Sequence, residues 1–188
     1  MKIKPNASSN EMSSPFYKMN ENFCADFENY IAKKNGKVKG NYNAWSYQIF
    51  GKIYAPKNWN LMYKKATYTS SGNLLLSSKH QSLLVVAEWE TERKGTHNSE
   101  FLIRKKTHTD CLKKFVNNSV SNLNLSEKYI LETKNSTSQL IFKLTEILKD
   151  LFLSEEIYKI DHRNDKLKIE MRTDKHHFEI FERLITEI

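Results

Sequence analysis

The spacing of apolar residues changes period twice along this 188-residue chain, and that change limits the fold more than any motif does. Between residues 16 and 34, Phe16, Met19, Phe23, Phe27, Tyr30 and Ile31 recur at intervals of three and four, which places them on one face of a helix. Lys33 and Lys34 followed by Asn35-Gly36 form a stop signal, because cations favour the last helical turn and glycine accepts the left-handed turn beyond it. From 44 to 106 the period falls to two. Trp45, Tyr47 and Ile49 alternate with polar neighbours, Ile53 and Tyr54 continue past Gly51, and Trp59, Leu61 and Tyr63 alternate again after the turn at Pro56-Lys57-Asn58. A second turn at Ser70-Ser71-Gly72-Asn73, the run Leu83 to Trp89, a break at Lys94 to Asn98 and a strand containing Phe101 and Ile103 complete an antiparallel meander.

The helical period returns in the last third. Tyr129, Ile130 and Leu131 read as a short strand, and Asn135-Ser136 as the cap of a helix through Leu140, Ile141, Leu144, Ile147, Leu148, Leu151 and Phe152. Glu156 to Ile160 is a strand, Arg163 to Lys166 a turn, and Leu167, Ile169 and Met171 a second strand. Asp174 is expected to cap a final helix whose apolar face is Phe178, Phe181, Leu184, Ile185 and Ile188. The stretch from 107 to 127 mixes a short helix over Asp110 to Val116 with an Asn/Ser-rich loop. An N-terminal helix, a central antiparallel β-meander and a C-terminal β-α-β-β-α unit with its helices on one sheet face define an α+β fold. The expected organisation is a flexible arm over residues 1–15 and one α+β domain over 16–188, with 16–106 and 128–188 as sub-layers.

A chain of this length buries roughly 70% of the surface that its unfolded form exposes, so it needs no covalent staple. Cys24 and Cys111 lie far apart with no C-x-x-C neighbour and read as buried or half-buried thiols in a reducing compartment, with a disulfide as the alternative. The opening MKIKPNASSNEMSSP has no apolar core of a signal peptide, and the longest apolar run, Leu83 to Ala87, falls far short of the about 20 residues of a membrane span. These features predict a soluble, cytoplasmic protein without a transmembrane segment, and the abundance of Lys, Asn and Ile points to an AT-rich bacterial genome.

The formal charge of +8 is confined to one segment. Residues 33–114 hold 16 Lys/Arg against 5 Asp/Glu, whereas residues 1–32 hold 3 against 4 and residues 115–188 hold 11 against 13. Segregated charge makes a local positive field that draws phosphates and acidic surfaces. Lys52, Lys57, Lys64, Lys65, Arg93, Arg104, Lys105 and Lys106 form the candidate polyanion or nucleic-acid surface, in company with Trp45, Tyr47, Tyr54, Trp59, Tyr63 and Tyr68. Cations neutralise phosphate and aromatics stack on bases. The competing reading packs the aromatic face under the helices, leaving lysines that keep sheet edges from associating.

Motifs of catalysis are sparse. His176-His177 are adjacent, so on a helix they point about 100° apart and do not make the i, i+4 pair that holds zinc. Asp161-His162 beside Arg163-Asn164-Asp165 reads as a polar hairpin tip rather than a dyad, which needs a nucleophile in reach. Glu92-Arg93-Lys94 has an E-x-K form used in metal-dependent nucleases, but no aspartate occurs between Asp26 and Asp110 to complete it. Neither G-x-x-x-x-G-K-[ST], G-x-G-x-x-G nor G-x-S-x-G occurs. No catalytic residue, metal or cofactor is therefore assigned.

Glu100-Phe101-Leu102-Ile103-Arg104, the run Tyr129 to Asn135, the helix to Phe152, the strands Ile157 to Ile160 and Lys166 to Ile169 and the last helix together resemble a loose class of uncharacterised bacterial α+β proteins, over roughly residues 99–188. Members of that class often carry N-terminal membrane helices, which this chain lacks, and the class has no established activity from which site residues could be carried over. The expected function is a non-catalytic binding or interaction protein, whose partner is unknown and could be an acidic protein. The alternatives are a nucleic-acid binder using the basic meander and an enzyme of unrecognised type.

Overall fold

A computed structural model of the chain describes residues 2–68, 74–75, 84–92, 100–108, 110, 120–123, 125–133 and 139–188. It is an α+β protein, with two compact units: Met1–Glu88 with Arg172–His176, and Trp89–Met171 with His177–Ile188. The chain passes from the first to the second within strand β6 (Leu84–Glu92), not between the sub-layers expected from the sequence. Among the described residues no helix is long and apolar enough to cross a membrane.

In the first unit the strands β1 (Ile3–Pro5), β2 (Lys37–Tyr42), β3 (Tyr47–Ile53) and β4 (Trp59–Tyr68) lie in that order, with β5 (Leu74–Leu75) paired to β4. β1 runs parallel to β2, and the other pairs are antiparallel. The described part of the expected arm, residues 2–15, is thus not loose. Ile3 is buried, the Asn6 amide donates to the Tyr42 carbonyl at 2.7 Å, and a helical turn α1 (Ser9–Met12) follows, with the Ser8 amide donating to Glu11 Oε2 at 2.7 Å. Pro15 then opens α2 (Pro15–Lys33), capped by Ser14 Oγ, which accepts from the Phe16 amide. The helix ends where Asn35 turns left-handed at φ 53° and the Gly36 amide returns to the Ile31 carbonyl.

α2 packs on β2 and β3. Tyr17, Cys24, Phe27 and Ile31 of the helix meet the inward residues Val38 and Tyr42 of β2, Tyr47, Ile49 and Ile53 of β3, and Trp59, Leu61 and Tyr63 of β4, all buried. Gly51 is what lets the helix approach. A Cβ there would stand 2.6 Å from Ile31 Cδ1 and 2.9 Å from Phe27 Cζ. The segment 172–176 also belongs to this core: the His176 ring stacks on Phe23 with centroids 3.8 Å apart, and Tyr63 Oη donates to the His176 carbonyl.

The second unit orders its strands β11 (Lys166–Arg172), β10 (Ile157–Arg163), β7 (Phe101–Lys105), β9 (Ser126–Thr133) and β8 (Val120–Leu123), each antiparallel to its neighbour. β7 therefore leaves the meander to pair with β10 and β9. Alternation determines which side of a strand is buried, not which strand lies beside it. β10 and β11 close through Asn164 and Asp165, both at positive φ (51° and 58°), as a two-residue hairpin with this twist requires. The predicted long helix breaks at Leu148 into α3 (Gln139–Ile147) and α4 (Lys149–Leu153). Its cap at Asn135-Ser136, all but the first residue of the helix over Asp110 to Val116, and the turn at residues 70–73 lie outside the described residues. The last helix, α5 (Phe178–Glu187), begins after left-handed His177, so Asp174 stands exposed in a bend and does not cap it. Leu144, Leu148, Phe152, Ile160, Ile169, Phe181 and Leu184 fill this core, with Tyr129 Oη donating to the Ile157 carbonyl at 2.9 Å.

Candidate functional site

Because α2 covers the Tyr47–Ile49–Gly51–Ile53 side of β3, the alternate residues face away from it. The registers place these residues in three rows: Lys37, Lys52 and Asn60; Lys39, Phe50 and Met62; Asn41, Gln48 and Lys64. Tyr54, 46% exposed, extends the β3 column beyond Lys52. Neighbours across the rows lie about 5 Å apart, and rows about 7 Å apart, so this is one continuous face. It carries four lysines, three amides, one phenylalanine and one methionine, and no carboxylate.

The lysines converge on the aromatic rings. Lys39 Nζ lies 5.2 Å from the centroid of Phe50, and Lys52 and Lys37 Nζ lie 5.2 and 5.7 Å from that of Tyr54. Among the described residues, Lys37, Lys39 and Lys52 make no ion pair, so their charge is not neutralised locally. An exposed cation–π contact is worth about 0.5–1 kcal/mol, against about 1–3 kcal/mol for a base stacked on an aromatic ring. The rings are therefore held by a contact weaker than the one a base would make.

The predicted surface residues separate. Lys52 and Lys64 lie on this face, and Lys57 is exposed in the loop after it. Lys65 turns toward α2, where Nζ donates to Asn20 Oδ1 at 3.0 Å and lies 5.9 Å from the Tyr47 centroid, and burial lowers its pKa. Arg93 lies outside the described residues.

Arg104, Lys105 and Lys106 belong to the second unit. Arg104 Nη1 and Nη2 each donate to Asp110 at 2.7 Å, and Nε and Nη2 donate to Glu132 Oε1 at 3.1 and 2.6 Å. Asp110 is buried and also accepts from the amide and hydroxyl of Thr107 at 2.6 and 2.7 Å. The Arg104 guanidinium holds this carboxyl well below the usual carboxylate range, against the opposing effect of burial. Lys105 pairs with Glu155 at 3.5 Å. Arg104 is thus spent on an internal network rather than offered to a partner.

The aromatic residues divide as well. Tyr47, Trp59 and Tyr63 are buried beneath α2, whereas Trp45 is 56% exposed and its centroid lies 6.0 Å from that of Phe16. The side chain of Tyr68 lies outside the described residues. Phe50, Lys37 and Lys39 escaped the sequence reading. The signal was there in Lys-Val-Lys-Gly-Asn-Tyr of β2, a short alternation with Val38 and Tyr42 inward, but it sits between the helix stop and the first recognised strand.

The site-like pairs come apart. His176 stacks on Phe23, whereas His177 Nε2 lies 2.7 Å from Glu156 Oε2 in the other unit. His162 is buried against Phe101 with centroids 5.3 Å apart, and Asp161 on the opposite side of β10 bonds Lys159 and Arg163 at 3.0 and 2.8 Å. Among the described residues no group of three or more His, Cys, Asp or Glu could hold a metal ion. Comparison with protein-family models, curated proteins and solved structures found no match to this chain.

Proposed function

We propose that the protein is a non-catalytic binding protein whose ligand is a polyanion, taken on the open face of β2, β3 and β4. One observation carries the reading: on the rows of these strands that face away from α2, Lys37, Lys39 and Lys52 make no ion pair among the described residues, whereas Arg104 and Lys105 of the second unit sit beside acidic partners. The unpaired charge of Lys37, Lys39 and Lys52, on a sheet supported from behind by α2, attracts polyanions. The reading includes action in the cytoplasm. Cys24 supports that placement, since it is a free and buried thiol, in keeping with a reducing compartment.

The test is binding of fluorescein-labelled heparin at low and at physiological salt. The expected result is an affinity that falls as salt rises, because each phosphate or sulfate contact releases counterions. Substitution of Lys37, Lys39 and Lys52 by glutamate should remove the binding. Absence of binding at low salt, or binding indifferent to the triple substitution, would overturn the reading.

A further inference from the structure

We infer that the polyanion is single-stranded nucleic acid, with bases stacked on Phe50 and Tyr54 and phosphates held by Lys37, Lys39 and Lys52. The inference rests on the proposed polyanion-binding face and specifies its ligand.

The chemistry of the face distinguishes among polyanions. A sulfated glycan or an acidic peptide needs cations and gains little from a flat aromatic ring at the centre of the site. Phe50 occupies that centre: its row neighbours are Lys39 and Met62, and its column neighbours are Gln48 and Lys52. Tyr54, the next aromatic along the same side of β3, lies beyond Lys52. The order along β3 is therefore amide, aromatic, cation, aromatic, which repeats the order of base and phosphate along an extended strand. Aromatic platforms flanked by cations are the common means of binding single strands, because every base presents a π-face.

The exposed amides of Asn41 and Gln48 add donors and acceptors around the rings, suited to the base edges that an unpaired strand exposes. A duplex hides its bases in the stack, and its major groove admits a helix or a two-stranded ribbon rather than the broad side of a sheet of more than three strands. The lysines now over the rings are not an obstacle. Their cation–π contacts are weaker than base stacking, and on displacement their ammonium groups stay beside the ring, where the phosphates of a stacked nucleotide would lie.

The experiment measures fluorescence anisotropy of the full chain with four labelled probes at physiological salt: a 12-nucleotide oligo-dT, the same sugar–phosphate chain with abasic sites throughout, a 12-base-pair duplex and heparin. The expected result is that oligo-dT binds at least tenfold more tightly than the abasic chain and the duplex. Phe50→Leu should weaken oligo-dT binding by about fivefold to a hundredfold while leaving the abasic chain unaffected, and Phe50→Trp should retain it. The comparison among probes uses the unaltered protein, so it decides the matter even if a variant folds poorly. Equal binding of all four probes, with Phe50→Leu unchanged, would overturn the single-strand inference and leave the polyanion face standing. Preference for duplex or heparin would do the same. Failure of all four probes at low salt as well would overturn both.

Discussion

Arg104 and Lys105 stand side by side in a run of three cations, yet their surroundings give them different roles. Arg104 is the partner of a buried carboxylate, and Arg104→Ala would leave Asp110 charged and unpaired in the interior, at a cost of about 3–5 kcal/mol. Urea unfolding should show that loss, whereas Lys105→Ala, which removes one half-exposed pair, should change stability by less than about 1 kcal/mol. The pH dependence follows from the direction of the Asp110 shift. A carboxyl whose folded pKa is depressed stabilises the protein above its unfolded pKa of about 4 and loses that contribution as pH falls toward the folded value. The stability gap between wild type and Asp110→Asn should therefore be constant above pH 5 and shrink steadily below about pH 4. Cys24 offers a second check. Burial, aided by Glu28, pushes its thiol up to about 12, so the nucleophilic thiolate is scarce at ordinary pH. Peptide mapping after iodoacetamide treatment at pH 8 should find Cys24 unmodified in the native protein and alkylated in urea.

At the scale of elements, β3 is constrained on both sides. Its inner side must admit α2, and Gly51 is the contact point. A β-branched residue normally favours a strand, but Gly51→Val would drive its side chain into Ile31 and Phe27. The expected outcome is a loss of about 1–3 kcal/mol, read as a lower melting temperature, in opposition to strand propensity. The outer side is not covered by α2, and there Gln48 is exposed and Phe50 and Lys52 are half-buried. The helices and most strands were legible in the sequence because their apolar periods are long and regular. Leu140 through Phe152 kept its helical period across the break at Leu148, since an interruption of one residue barely shifts the pattern. β1 and β2 were missed because three and six residues are too few to establish alternation against a polar background. Asp174 failed as a cap because the residues after it, His176 above all, are held in the core of the first unit, and helix α5 starts only beyond His177.

At the scale of the whole molecule, the charge of +8 by itself would draw the protein to any polyanion. Net charge and a built face make different predictions. Converting Lys37, Lys39 and Lys52 to glutamate changes the formal charge as much as converting the exposed Lys149, Lys166 and Lys175. If the face does the binding, the first triple variant should elute from a heparin column at much lower salt than the second, and the slope of log affinity against log salt should fall by about 0.7 for each phosphate contact removed. Equal elution of the two variants would assign the attraction to net charge alone.

The sequence by itself determined the α+β class, the helix on one side of a meander and the concentration of positive charge between residues 33 and 114, because periodicity and charge are properties of residues counted along the chain. Tertiary structure decided which cations share a surface. It turned Lys65 toward α2, tied Arg104 to Asp110 and gathered Lys37, Lys39 and Lys52 around Phe50 and Tyr54. The reason is strand register. A side chain's face follows from local alternation, but its neighbours follow from which strand pairs with which, and that is settled by packing between residues distant in sequence.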